Sequence, residues 1–523
     1  MNDKDTTTAA SDRVDPYAWY VLSILVLVYI LNFIDRQILS ILANDIKADL
    51  GLSDADLGFL YGTAFAVFYA LFGIPLGRLA DSWHRVRLLG IGLSLWSIMT
   101  AVSGFARNGA MLTVARMGVG VGEATAGPAA YSLIADLFPQ RLRATALAIY
   151  SSGLYLGGGL SLLIGGLIVD RWNGAYPGGG PLGLVGWQAA FLAVGVPGLL
   201  LALWVATIRE PVRGAIDGIP SPSDPQPFKG FFAELLDVVP PFTLIGALLR
   251  GPKALLVNVL GAIGFAGFAL LMTRLLGPGT LQQWSFVAFG SYAVFSWAHA
   301  LRARDYPTFR LIWGSPAFLC TILGYGMVSF TSYASSYWGA PFAERTFGIS
   351  KGELGLLIGA PAAVAGFLGV ILGGRMADAL QGRFASGRIM VALFGLLSPV
   401  LPVIGAYTTS STSVFYVLSF LGVMLSSTAL GAAAAASQSL VLPRMRGTAT
   451  ATFFLATTLV GLALGPFMAG YVSAIRGDDL GTGVLSTLVA VPVGLALLLA
   501  ALQLVPTAAR TVLERARAAG EPI

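Results

Sequence analysis

Apolar residues run along this chain in long uninterrupted stretches that are separated by short polar connections. The stretches recur from Tyr17 to Leu504. They reach the roughly 18 apolar residues that a helix needs to cross a hydrocarbon core about 30 Å thick. The pattern therefore predicts an all-α polytopic membrane protein. The short alternating strands of a membrane β-barrel do not fit stretches of this length.

Breakers between the apolar stretches predict two sets of six spans with an inserted pair between the sets. The first set covers residues 17–40, 56–79, 87–106, 111–137, 143–169 and 187–208. The inserted pair covers residues 254–273 and 283–301. The second set covers residues 310–340, 353–378, 388–408, 413–442, 447–474 and 483–505. We therefore expect twelve core helices and about fourteen helices in all.

These spans divide the chain into five segments. They are an N-terminal tail (1–16), a six-helix bundle (17–208), a linker with the inserted pair (209–309), a second six-helix bundle (310–506) and a C-terminal tail (507–523). The linker includes the proline-rich stretch Ile219–Pro227. The N-terminal tail lacks the short apolar core and cleavage site of a signal peptide, so we expect the first span to direct insertion.

The two sets of spans are copies of one unit. Leu52–Gly62 aligns with Ile349–Gly359 at an offset of 297, and Gly77–Asp81 aligns with Gly374–Asp378 at the same offset. Because both copies start on the same side of the membrane, the repeat is parallel. Parallel repeats are typical of transporters whose two halves rock about a site at mid-membrane.

Basic residues are unevenly divided between the two sides of the membrane. If both termini are cytoplasmic, the inner segments hold 23 lysines and arginines and the outer segments hold seven. Cytoplasmic loops of membrane proteins carry an excess of these residues. We therefore expect an inner-membrane protein with both termini in the cytoplasm. The same distribution explains the net charge of +6 without nucleic acid as a partner.

Four ionisable residues lie deep inside predicted spans: Asp35 and Arg36 in span 1, and Arg116 and Glu123 in span 4. Each such charge costs about 2.5–3.5 kcal/mol at mid-membrane, so all four need partners, a water-filled cavity, or both. Arg116 and Glu123 share a helix face but are separated by about 10 Å along the axis. We expect Asp35 and Glu123 on either side of Arg116, with Arg36 close by.

Two interpretations of this charged group remain open. The residues could form a structural ion-pair cluster that fastens span 1 to span 4. The second copy, however, carries Ser332 and Tyr333 at the positions equivalent to Asp35 and Arg36, although a structural cluster should serve both copies. We therefore expect a chemical site. We expect Glu123, with Asp35, to carry a coupling proton, and Arg116 to pair alternately with Glu123 and with an anionic substrate group. Arg36 is a second candidate for that group, because a guanidinium fork suits an anion such as phosphate.

Span 7 carries hydroxyl and aromatic side chains at helical spacing, and these are candidates for the rest of a substrate site. Tyr325, Ser329 and Tyr333 follow one another at intervals of four residues. Asn32 belongs to the same stretch of span 1 as the charged pair. Aromatic rings with polar tips suit an amphipathic ligand, although they also pack between helices.

The composition argues against several other kinds of site. The single cysteine, Cys320, cannot form an intramolecular disulfide, and the two histidines lie far apart in the sequence. A cysteine- or histidine-based metal cluster is therefore not expected. The chain also lacks a Ser–His–Asp arrangement and a soluble catalytic domain. We expect no metal, no cofactor and no enzymatic activity.

The stretch Gly77–Arg87, at the inner end of span 2, resembles the signature loop of the major facilitator superfamily. The six-plus-six duplication is similar to that superfamily as well. A narrower resemblance is to its Spinster branch, the lysophospholipid and sphingosine phosphate transporters and their bacterial relatives. It rests on Leu31–Arg36, Arg116–Ala124 and Asp136–Arg143.

The resemblance implies a secondary active transporter that moves an amphipathic, lipid-like substrate by alternating access, and the buried carboxylates favour coupling to protons. We also expect a monomer in membrane lipid. An exporter of drugs or small organic anions, or an uncoupled facilitator, is the alternative. In the superfamily, the acid of the signature loop contacts the start of span 11 and nearby arginines. Here this implies a cytoplasmic gate formed by Asp81, Arg85 and Arg446.

Overall fold

The computed structural model describes residues 15–217 and 224–522, and all regular secondary structure in these ranges is helical. Twelve helices in the described ranges are long and apolar enough to cross a membrane. The predicted N-terminal tail up to residue 14 and most of the proline-rich stretch Ile219–Pro227 lie outside the described residues.

The helices form two halves joined by a helical linker. The N-terminal half comprises α1 (Pro16–Leu50), α2 (Asp54–Ser82), α3 (Arg85–Ser103), the two-part α4 (Gly109–Glu123 and Ala126–Leu137), α5 (Gln140–Ala175) and α6 (Gly186–Val205). The linker comprises α7 (Pro227–Val238), α8 (Phe242–Arg250), α9 (Pro252–Leu276), α10 (Leu281–Arg304) and α11 (Tyr306–Ile312). The C-terminal half comprises α12 (Pro316–Phe347), α13 (Lys351–Gln381), α14 (Gly387–Thr408), α15 (Thr412–Gln438), α16 (Pro443–Ile475) and α17 (Leu480–Arg510), and α18 (Val512–Ala518) follows.

The predicted fold class, two six-helix halves with an inserted helix pair, is confirmed. Fourteen is a loose count, because two predicted spans are not among the twelve helices that qualify by length and hydropathy. One is α4, which is interrupted at Ala124 and Thr125. The other is α10, whose polar residues include Gln283 and His299 and lower its hydropathy.

The linker contains two short helices that the apolar pattern did not predict. α7 and α8 meet at a bend of 100°. Each is too short to span the membrane by itself. Both carry exposed apolar side chains, such as Phe232 and Leu249. α7 packs against α2, so the linker is attached to the N-terminal half rather than hanging free.

Local sequence signals explain how α1 and α2 are joined. Asp15 caps the start of α1, and Gly51 ends this helix in a left-handed conformation (φ +65°), which glycine adopts without steric cost. Ser53 and Asp56 form a capping box at the start of α2. The resulting turn is short, so charged residues near the end of α1 lie beside those that begin α2.

The two halves meet through α2 with α16, and through α5 with α13. Glycine permits these contacts, because a Cβ atom on Gly58 would lie 2.5 Å from the carbonyl oxygen of Pro466. A Cβ atom on Gly159 would likewise lie 2.5 Å from the carbonyl oxygen of Gly359. We call the membrane end where α1 ends and α2 begins the distal end. The opposite end, where α1 starts and α17 ends, is the terminal end.

α1 also meets its repeat-equivalent helix, α12. The Ser40 hydroxyl donates to the carbonyl oxygen of Tyr337 at 2.5 Å, and the Asn44 amide donates to that of Pro341 at 3.3 Å. Both pairs are separated by 297 residues, which is the offset of the sequence repeat. Equivalent positions that touch each other lie on the axis relating the two halves. The axis therefore passes between α1 and α12.

We expect Gly58→Ala to lower the thermal unfolding midpoint of the purified protein. The new Cβ atom would overlap the main chain of α16, and overpacking of this kind typically costs about 1–3 kcal/mol. Gly73→Ala on the same helix is the matched control, since a Cβ atom there has no heavy atom within 4 Å. Equal midpoints for the two variants would contradict the close packing of α2 on α16.

Candidate functional site

The four charged residues predicted inside the spans are buried together where α1 meets α4. Asp35, Arg36, Arg116 and Glu123 are all at least nine-tenths buried. Arg36 donates from Nη2 to Oε2 of Glu123 at 2.7 Å. Arg116 donates from Nη1 to the main-chain carbonyl oxygen of Asp35 at 3.2 Å. The structure therefore brings the four together, and it pairs Glu123 directly with Arg36, which was expected only to lie close by.

Much of the hydrogen-bonding capacity of this cluster is unused. Neither carboxyl oxygen of Asp35 has a hydrogen-bond partner among the described residues. The same holds for Nε and Nη2 of Arg116 and for Oε1 of Glu123. Buried polar atoms without partners are costly, so a site of this kind favours a proton, a water molecule or a ligand group that completes it.

Polar side chains of neighbouring helices face the two carboxyl groups. Trp96 and Thr100 of α3 lie beside Asp35. Asn32 of α1 lies beside Glu123. The contribution of α3 was not predicted, because its polar residues are uncharged and do not stand out in the sequence of an apolar span.

Aromatic rings enclose the guanidinium of Arg36. Its Cζ atom lies 4.7 Å from the ring centre of Phe33, 4.6 Å from that of Phe65 and 4.9 Å from that of Tyr69. A cation over an aromatic face is stabilised by the ring quadrupole, and more strongly where water is excluded. The rings therefore help to hold a charge whose only salt bridge among the described residues is to Glu123.

A cavity of about 270 Å³ opens between the two halves next to Arg36. The predicted site residues that line it are Arg36, Tyr325, Ser329 and Tyr333. Asn32, Asp35, Arg116 and Glu123 do not line it. Arg36 thus belongs both to the buried charged cluster and to the wall of the cavity.

The wall of the cavity combines hydroxyl groups with apolar side chains. α12 contributes the hydroxyl groups of Ser332, Ser335 and Ser336 in addition to those predicted. Helices α13, α14 and α15 contribute side chains such as Ile358, Leu396, Val403, Leu418 and Val423. Among the described residues that line the cavity, Arg36 is the one with a formal charge. The chamber is therefore complementary to a molecule with one anionic group and an apolar body.

Ion pairs close the distal end across the two halves. Asp54 at the start of α2 is fully buried, and Arg345 of α12 donates to both of its carboxylate oxygens at 2.8 Å. Lys47 of α1 at 2.9 Å and the Ser473 hydroxyl of α16 at 2.7 Å also donate to Asp54. A carboxylate held by a bidentate arginine is among the stronger polar contacts in proteins.

A second group of contacts surrounds Lys351 at the start of α13. Its ammonium group pairs with Glu344 of α12, and it reaches Asp45 of α1 at 3.3 Å. Asn44 of α1 donates to Glu344 at 2.7 Å. These contacts were not predicted. A signal exists, however, since Lys47 and Asp54 have the oppositely charged Glu344 and Lys351 at the equivalent positions, 297 residues on.

At the terminal end, the residues of the predicted gate do not meet across the halves. Arg85 is buried within the N-terminal half, where it donates to Glu210 at 2.7 Å and to the Pro211 carbonyl oxygen at 2.8 Å. The charged groups that act on Asp81 are Arg213, Arg78 and Arg85, none of which belongs to the C-terminal half. Arg446 is exposed. In this conformation Arg85 serves to tie α3 to the chain after α6.

Arg444, two residues before the predicted Arg446, makes the ion pairs of the terminal end of α16. It donates to Asp305 at 2.7 Å and also pairs with Glu521 near the C-terminus. Burial raises the pKa of the Asp305 carboxyl, but hydrogen bonds from Arg444 and Thr308 outweigh it and hold the pKa at about 2. These contacts bind the linker to the C-terminal half, and no ion pair given for the described residues joins the two halves at this end.

Two six-helix halves that enclose a chamber, closed at one end by ion pairs, are the architecture of a membrane transporter. A sequence profile described as Major Facilitator Superfamily matches residues 25–344. This chain belongs to that superfamily. The family consists of transporters, which confirms the prediction of a transporter rather than an enzyme.

Individual relatives show what this chain is similar to within the superfamily. The chain is 28% identical over 499 residues to an "MFS-type efflux pump" of Mycolicibacterium smegmatis, covering 95% of this chain and 93% of the relative. It is 23% identical over 457 residues to "Protein spinster" of Drosophila melanogaster, covering 87% of this chain and 62% of that protein.

Solved structures agree with this. A bacterial homolog of the human lysosomal transporter Spinster, inward-facing and unoccupied, superposes with a TM-score of 0.68 at 27% identity, covering 96% of this chain and 98% of that chain. The occupied, inward-facing form gives a TM-score of 0.67 at the same identity and coverage. The predicted resemblance to the Spinster branch is thereby confirmed.

We expect Asp54→Asn to shift the protein away from the conformation with a closed distal end. Losing the carboxylate leaves Arg345 and Lys47 without their common partner, and breaking a buried pair costs at most about 3–5 kcal/mol. The measurement is the distance between spin labels at Ala48 and Arg476, in a Cys320→Ala background.

Asp478→Asn is the matched control for this prediction. The Asp478 side chain is 56% exposed, and its pair with Lys47 is the surface type that contributes about 0–1 kcal/mol. The role assigned to Asp54 is wrong if both variants leave the distance distribution of the parent unchanged.

Proposed function

We propose that this chain moves an amphipathic anion, such as a lysophospholipid or a sphingosine phosphate, across the inner membrane by alternating access. The observation that supports this most directly is the chamber with one guanidinium, a row of hydroxyl groups and an apolar wall. The anionic head group would bind Arg36, and the hydroxyls of Ser329 and Ser332 would supply further donors. The acyl chain would lie among the apolar side chains of the C-terminal half.

Proton coupling follows from competition for Arg36. Glu123 occupies Nη2 of Arg36 at 2.7 Å, so a substrate phosphate must share or displace this carboxylate. Protonation of Glu123 would weaken its hold and free Arg36 for the substrate. By linkage, the bound anion in turn favours a proton on Glu123, but only while the anion and the Glu123 carboxylate compete for Arg36.

Asp35 would be the second proton site. Its carboxyl group has no hydrogen-bond partner among the described residues, and burial of this kind favours the neutral acid over the carboxylate. When Asp35 releases its proton, the unused Nε and Nη2 donors of Arg116 would be the groups to receive the carboxylate. Arg116 thus has the task of holding the proton-free state.

The distribution of basic residues assigns each end of the protein to one side of the membrane. With both termini in the cytoplasm, the distal end, which the ion pairs close, is extracytoplasmic. The similar solved structures carry the description inward-facing. Asp81 and Arg446 would then meet only in the opposite, outward-facing conformation, in which the terminal end closes.

Export of drugs or small organic anions is the second candidate. The Mycolicibacterium smegmatis relative, of which 93% is covered by the alignment, is described as an efflux pump. A shorter match, over 37% of this chain, is to a probable galactarate/D-glucarate transporter. A single arginine in the chamber serves a small anion as well as a lipid head group, so the apolar wall is the feature that favours the lipid.

The substrate proposal predicts that Arg36→Gln lowers the flux of a labelled lysophospholipid in proteoliposomes by about tenfold or more, because a charge-assisted bond to phosphate is lost. Arg171→Gln, an exposed arginine at the distal end of α5, should retain the parental flux. Labelled glucarate in parallel vesicles tests the second candidate. Flux of the organic anion without flux of the lysolipid would overturn the lipid proposal, and a chemically altered lysolipid would overturn transport.

The coupling proposal predicts that an imposed pH gradient accelerates parental flux and that Glu123→Gln removes this acceleration. The amide cannot carry the proton, although it preserves the shape of the side chain. Glu353→Gln, which changes an exposed glutamate of the C-terminal half, is the control and should respond as the parent does. Glu123→Gln flux with the pH dependence of the parent would show that Glu123 is not the proton carrier.

A further inference from the structure

We propose that the inserted helix α10 holds the distal ends of the two halves together, and that Gln283 is the positioning residue that does so. The proposal rests on the alternating-access cycle of the proposed function, but not on its substrate or its proton. Nothing in the duplicated six-helix units requires the inserted pair, so its contacts must explain what it adds.

Gln283 is buried between the two halves, with 1% of its surface exposed. Its Oε1 atom accepts from the Thr63 hydroxyl of α2 at 2.6 Å, and its Nε2 atom donates to the carbonyl oxygen of Ala463 in α16 at 3.4 Å. The Thr63 hydroxyl also lies 2.6 Å from the Ala463 carbonyl oxygen. Because a hydroxyl has one proton, it shares this proton between the two acceptors. One amide therefore bridges the N-terminal half and the C-terminal half.

The next two turns of α10 touch the same two helices. The Phe286 ring lies 5.2 Å from that of Phe59 and 6.0 Å from that of Phe68, both in α2. At Gly290, the absence of a side chain lets α10 approach Val67 of α2 and Leu459 of α16, each 3.3 Å from where a Cβ would be. The contact with both halves is thus continuous along the helix.

The partner helix of the inserted pair is attached to the C-terminal half. The Tyr471 hydroxyl of α16 donates to the carbonyl oxygen of Leu276, the last residue of α9, at 2.5 Å. Most of α9 is exposed on the surface of the protein, with side chains such as Leu260 and Ile263 directed outward. The pair is therefore fixed at its inner face and free at its outer face.

These contacts exist only while the distal halves of α2 and α16 lie side by side. To open that end, α2 must separate from α16, and Gln283 can then follow one helix but not both. Hydrogen bonds within membranes are each worth little, yet the partner left behind in apolar surroundings is unsatisfied. Gln283 therefore stabilises the conformation with a closed distal end and slows its opening.

The test measures conformational populations in the absence of substrate, with spin labels at Ala48 and Arg476 in the Cys320→Ala background. Gln283→Met keeps the length of the side chain and removes both hydrogen bonds. We expect it to lower the ratio of distal-closed to distal-open molecules by about threefold to tenfold. Gln282→Met is the matched control, since Gln282 is exposed and should leave the ratio unchanged.

Tyr471→Phe keeps the proposal testable even if Gln283→Met fails to fold. It removes one hydroxyl that ties the inserted pair to α16, and it should shift the ratio in the same direction. A double-mutant cycle of Thr63→Val with Gln283→Met should give a non-additive shift, because the two side chains bond to each other. Unchanged ratios in Gln283→Met and Tyr471→Phe, or an equal shift in Gln282→Met, would overturn the role of α10. Because no flux is measured, failure of the lipid or proton proposal would leave this result intact.

Discussion

The salt bridge between Arg36 and Glu123 is the interaction on which the rest of the site depends. Placing these charges inside the membrane is costly, and the structure meets the cost by pairing them and by enclosing Arg36 in three aromatic rings. The pairing is incomplete, however, since Asp35 and parts of Arg116 have no partner among the described residues. A fully satisfied cluster would be inert, whereas a partly satisfied one can exchange protons and ligands.

Closure of the distal end uses two kinds of contact with different ranges. Glycines such as Gly58 bring α2 against the main chain of α16, which is a short-range fit that any rotation destroys. The ion pairs of Asp54 and Lys351 act at the rim, where each of these two residues is buried and its partner in the other half is partly exposed. Together these contacts close the distal end reversibly, as a transporter that must open again requires.

The sequence predicted the elements whose signal is strong and regular. The two copies, the inserted pair and the buried charges could be found because each leaves a clear signal in the sequence. These signals are the 297-residue repeat, the length of the apolar stretches and charged residues inside a span. The sequence could not show which arginine pairs with Glu123. Asp35 and Arg36 are adjacent, and the rotation of α1 decides which of these two side chains faces α4. The distal ion pairs were missed because residues at span ends look like ordinary loop charges, and only their reversal between the copies marks them. The contacts of α10 depend on how the linker folds back, which no local pattern encodes.

The chamber is built unequally by the two halves. Arg36 and its neighbours belong to the N-terminal half, whereas the hydroxyl row and the apolar wall belong mainly to the C-terminal half. The proposed elongated ligand, with its head on one body and its tail on the other, would cross-link two moving parts. The length of the ligand would then affect transport. A molecule too short to touch both halves would follow only one of them and would not couple their motion.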